Sequence, residues 1–161
     1  MSKEGASVAN GSWETAEPSE PDPAGRTDEY AEPPADVLPG GEVYDWYVRG
    51  VELLEGGNPA AAVQLLSHAS RAEPESRSVR EALARAQFDA GMYTEAHASF
   101  AVIIEANPAD DYAQFGMGLS AAKIGDLNGA VEHLALAAAM RPDISHYGVA
   151  LRGARAAITR R

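Results

Sequence analysis

The chain has 161 residues, a formal net charge of −11 and no cysteine, so disulfide frameworks, cysteine-ligated zinc and thiol nucleophiles are excluded from the start. Its length suits one domain plus a tail. The acidic balance lacks the basic stripe that a phosphate backbone requires, so no nucleic-acid partner is expected. No segment reaches the length of a membrane span and Met1-Ser-Lys-Glu-Gly lacks a signal-peptide core; no membrane association and a cytoplasmic location are expected. Abundant alanine, with arginine favoured over lysine, fits a GC-rich bacterial source.

Residues 1–41 hold six prolines, five glycines and nine carboxylates against Lys3 and Arg26, which places −7 of the charge there and −4 in the remainder. Apolar residues are too sparse to bury a core, so this stretch reads as a disordered acidic tail, with Trp13 and Tyr30 as its aromatics. The spacing then predicts a helix from about Glu42 to Glu55, closed at Gly56-Gly57, and a second from Pro59, capped by Asn58, to near Arg71. Ser76 or Arg77 opens a third helix that stops at Gly91, and a fourth runs from about Thr94 to Ala106. A fifth begins after Asp110 and turns at Gly125-Asp126, and a sixth ends near Arg141. Ser145 is expected to cap a last helix that runs to the C-terminus.

These elements recur at one interval of 34 residues: prolines at Pro74, Pro108 and Pro142, turn glycines at Gly57, Gly91 and Gly125, small residues at Ala62, Ala96 and Ala130. A fixed period of this size marks an array of helix pairs that bury their apolar faces only by stacking. With repeats at 43–76, 77–110 and 111–144, the eighth residue of each is Gly50, Ala84 or Gly118, the twenty-fourth Leu66, Phe100 or Leu134, and the twenty-seventh Ala69, Ile103 or Ala137. On these residues the chain resembles the tetratricopeptide repeat family. Its fourth-position tryptophan is met by Trp46 alone, since Arg80 and Gln114 follow. The resemblance implies an all-α, right-handed α-solenoid of three helix-turn-helix repeats over 42–161, closed by a capping helix at 145–161. There Arg152 occupies the small-residue position, which suits the end of an array, and Arg155, Arg160 and Arg161 keep the cap solvated.

No catalytic constellation is evident. His68, His97, His133 and His146 are spaced too far apart to converge on a metal and read as surface histidines; the serines lack a nucleophile elbow, and the glycines serve turns. No enzyme activity, cofactor or metal is therefore expected. The resemblance instead implies a protein-binding scaffold whose concave groove is lined by Tyr44, Tyr47, Val51 and Leu54, then Arg85 and Phe88, then Tyr112, Phe115 and Leu119. These rings make the groove a candidate for gripping a partner peptide or helix. The clamp that chaperone-binding members use for a C-terminal carboxylate is not expected, because Tyr47, Val51 and Ala82 occupy its positions. The alternative is a structural protein that homo-oligomerises through the same ridge.

Overall fold

The computed structural model describes residues 41–161; the expectations for residues 1–40, including those for Trp13 and Tyr30, lie outside them. The described residues form seven α-helices: α1 (Glu42–Glu55), α2 (Pro59–Ala72), α3 (Arg77–Asp89), α4 (Tyr93–Ala106), α5 (Asp111–Lys123), α6 (Leu127–Met140) and α7 (Ser145–Thr159). They divide into two compact units, residues 41–92 with α1 to α3 and residues 93–161 with α4 to α7.

The 34-residue period is written into the backbone. Gly57, Gly91 and Gly125 adopt φ of +83°, +81° and +93°, the left-handed region that favours glycine. At each, the amide two residues past the helix cap reaches back to a carbonyl of the last turn: Asn58 to Leu53, Met92 to Gln87 and Asp126 to Ala121, all at 2.8 Å. This is the Schellman closure, which satisfies carbonyls that the helix end leaves open. The longer turns between hairpins repeat as well, with Ser76, Asp110 and Ile144 donating their amides to Glu73, Asn107 and Arg141 at 3.1 Å.

Capping follows the same register, with two corrections. Ser76, Asp110 and Asp126 accept from the amides of Val79, Ala113 and Gly129 at 3.2, 3.0 and 2.9 Å. Asn58 occupies the cap position of α2 but makes no side-chain cap bond; its backbone, at φ −123° and ψ 64°, departs from the −87° and 80° of Asp126. Nor is Ser145 the cap of α7. It is the first helical residue, and the cap position belongs to Ile144, an apolar side chain buried at 8% exposure.

In the first unit the core is built on Leu54, Ala62, Leu66, Leu83 and Ala86, with Ala69 and Val79 beside it. Gly50 lets α1 approach α2 so closely that an added β-carbon would stand 2.6 Å from Cγ of Leu66. The second unit repeats this between Gly118 and Leu134, again at 2.6 Å. Phe100 goes further. Its larger ring reaches α5, where a β-carbon on Gly116 would meet Cζ at 2.3 Å, so that glycine answers the exchange of leucine for phenylalanine. The alanines at positions 62, 96 and 130 are fully buried, as is Phe100.

Candidate functional site

The first helix of each hairpin carries the residues expected to meet a partner, and folding divides them into two groups. Tyr44, Tyr47 and Val51 on α1 are half-buried, as are Arg85 on α3 and Leu119 on α5. Leu54, Phe88, Tyr112 and Phe115 are buried, at 7%, 2%, 3% and 1% exposure, so their side chains serve the interior and do not offer a face to a ligand. The reason is clearest for Phe115. Tyr147 from α7 stacks on it with ring centroids 4.6 Å apart, and His146 meets its edge at 5.3 Å.

These two α7 residues were not legible as core. Tyr147 is fully buried and its hydroxyl donates to Asp111 Oδ2 at 2.7 Å, joining the start of α7 to the start of α5. His146, expected at the surface, is 6% exposed and packs edge-on against both Phe115 and Tyr147. A phenol whose hydroxyl finds a carboxylate can be buried at little cost, and its ring supplies the apolar area.

On the first unit, Tyr44 and Tyr47 pack with Val43 and Trp46 around Ala69 and Val79, and Tyr47 also reaches the Leu54 cluster. One side of each ring is thus fixed by the protein. Next to α1, α3 presents a stripe of alternating charge. Arg77 lies 3.5 Å from Glu81, and Arg85 Nε 3.9 Å from Asp89 Oδ2; the side chains of Glu81, Arg85 and Asp89 are only 13%, 18% and 15% exposed. Such i,i+4 pairs hold their side chains along the helix axis. The result is a surface of tyrosine, valine and oriented charge.

The fourth residue of each repeat has work that its departure from tryptophan concealed. Arg80 donates to the Pro74 carbonyl, and Gln114 Nε2 to that of Pro108 at 2.9 Å, so both secure the turn before their own helix. Gln114 Oε1 also accepts from His133 Nδ1 at 2.7 Å. With the amide nitrogen spent on Pro108, the oxygen must face His133, and Nδ1 must carry the hydrogen. Burial lowers the His133 pKa below 6.5; Glu132 and Asp126 oppose that shift and His97 adds to it. Trp46 instead lies 5.7 Å from the His68 ring.

Among the described residues, no group of three or more histidines or carboxylates is placed to hold a metal, and no helix is long and apolar enough to cross a membrane.

Comparison with known proteins agrees with the fold. A tetratricopeptide repeat family model matches residues 53–119. No curated protein matches the chain in sequence. Among solved structures, a double mutant of MamA RS-1 superposes with a TM-score of 0.69 at 19% identity over 73% of this chain and 66% of its own, so the chain spans just under two thirds of it. The first TPR of Spaghetti (RPAP3), bound to the HSP90 peptide SRMEEVD, gives 0.68 at 15% identity, over 73% of this chain and 94% of that one. PcrH from Pseudomonas aeruginosa gives 0.66 at 16%, over 73% and 95%. The described residues are all-α and built of helix-turn-helix repeats, the fold of tetratricopeptide repeat proteins, and residues 53–119 match that family's model.

Proposed function

We propose that this chain is a non-enzymatic protein-interaction scaffold that takes a partner peptide or helix on the exposed side of its first helices. One observation carries the reading: at the family's ligand-facing positions, Tyr44, Tyr47 and Val51 remain half-exposed while one side of each tyrosine is held by the core. A ring whose rotamer is already fixed loses little entropy when a ligand covers its other side. The neighbouring Glu81 and Arg85 favour a partner that mixes apolar anchors with both signs of charge. In the first unit Leu54 and Phe88 are buried and offer no face of their own; in the second unit, taken by itself, Leu119 is the half-buried residue and Tyr112 and Phe115 are buried.

The solved RPAP3 domain holds a peptide, which supports peptide binding as the use of such repeats. The ligand does not carry over, because Tyr47, Val51 and Ala82 stand at the carboxylate-clamp positions of this chain. Site-specific photo-crosslinking tests the proposal. A crosslinker at Tyr47 is expected to capture a discrete partner in the source cell, with capture reduced by Arg85→Glu, whereas the same group at exposed Val102 on α4 captures nothing comparable. Equal capture at both positions would remove the assignment of this face. Crosslinks only to further copies of the chain, with a dimer by light scattering, would replace it with homo-oligomerisation.

A further inference from the structure

The last helix has an open face that the other first helices lack. Gly50 on α1 and Gly118 on α5 are sealed by Leu66 and Leu134 of the helix that follows them. One period after Gly118 stands Arg152, and it is exposed. Beside it, Val149 is 55% exposed, and a β-carbon on Gly153 would meet nothing within 4 Å. Val149, Arg152, Gly153, Ala156 and Arg160 follow one another at helical spacing, so the open surface is one continuous stripe.

Its charge is one-sided. No aspartate or glutamate stands between Asp143 and Arg161, while Arg152, Arg155, Arg160 and Arg161 are all exposed. Arg77, Arg85 and Arg141 each have an acidic partner, but none of these four forms an ion pair among the described residues. A concentrated cationic, partly apolar stripe on a chain of net charge −11 calls for an anionic cover.

We propose that residues 1–40 of the same chain are that cover, docking on the open face of α7. This stretch has nine carboxylates against Lys3 and Arg26, ends where the described chain begins at Gly41, and sets Trp13 among Glu4, Glu14, Glu17 and Glu20. The carboxylates answer the guanidiniums, and Trp13 answers Val149. Exposed ion pairs are individually weak and screened by salt, so the docking depends on several acting together and dissolves as ionic strength rises.

Because the chain has no cysteine, Ser19→Cys gives a single attachment point for a nitroxide spin label. With the labelled full-length chain at about 20 mM salt, amide signals of α7 are expected to be broadened at least about twofold more than those of α2, and the difference to vanish at about 0.5 M salt. Both Arg152→Glu/Arg155→Glu/Arg160→Glu and the milder Arg152→Gln/Arg155→Gln should abolish it, with unchanged amide shifts in α5 and α6 confirming the fold. The proposal is overturned if α7 is not selectively broadened, or if the broadening survives either charge variant or high salt. Broadening that disappears on dilution moves the contact to a second copy and overturns docking within one chain.

Discussion

Cγ of Leu134 lies where it would stand 2.6 Å from a β-carbon on Gly118, and the Leu134 backbone nitrogen would be at 3.1 Å. In the first and third repeats the small residue is therefore half of a direct contact, and its partner is the large apolar residue of the next helix. Gly118→Leu must displace α6 or force Leu134 off its rotamer, a cost of about 1–3 kcal/mol. Thermal melting followed by circular dichroism should show a lowered midpoint. Gly153→Ala is the matched control: it meets open space on a helix, and replacing glycine there should stabilise by about 0.5–1 kcal/mol.

This relationship also explains what could be read in advance. Gly50, Ala62 and Leu66 meet across helix-helix contacts and Pro74 marks a turn that Arg80 secures, so their spacing carries the fold directly. The partner face is harder because the same period marks a position without saying which way its ring is covered. Phe115 stands at a position expected to face a ligand, yet His146 and Tyr147, separated from it by the whole of α6, close over it. The α7 cap was missed for a simpler reason. Ser145 looks like a cap by residue type, but the register of Ser76 and Asp110 leads one period on to Ile144.

The caps give a prediction that separates geometry from residue type. Asp126 accepts the Gly129 amide and Asn58 makes no equivalent bond, although both occupy the same repeat position. Asp126→Ala should cost about 0.5–2 kcal/mol, the usual value of a lost helix cap. Asn58→Ala should cost distinctly less. Urea unfolding of the two variants measures the difference, and equal losses would contradict the cap assignment.

Phe115 and Tyr47 should respond in opposite ways although both stand at positions that the repeat register leads one to expect in the groove. Phe115 is 1% exposed between α5 and α7, so Phe115→Ala should destabilise by about 3–5 kcal/mol, as large-to-small core changes do. Tyr47 is half-buried, and Tyr47→Ala should cost less while weakening the capture of a partner. Chemical denaturation and the crosslinking yield read the two effects separately. A Phe115→Ala variant as stable as the parent would show that the ring is not part of the core.

His133 should make the second unit less stable in mild acid. Burial holds its pKa below 6.5, with Glu132 and Asp126 opposing and His97 reinforcing the shift. The ring is therefore neutral in the folded state at pH values where the unfolded chain already takes up a proton. Where the unfolded state binds more protons, stability rises with pH. The contribution is thus complete above about pH 6.5, falls as the pH drops from there through the lowered folded value, and levels off below it. The hydrogen bond to Gln114 Oε1 does not reverse this sign, because Nδ1 can donate in either protonation state; the loss comes from charging a partly buried ring. Nitrogen-detected NMR of the imidazole should find the Nδ1–H tautomer and a midpoint below 6.5. Thermal melts between about pH 5 and pH 7 should fall on acidification in the parent and fall less in His133→Gln, which removes the titrating group. A midpoint at or above 6.5, or parallel melting curves for the two proteins, would show that burial does not govern this histidine.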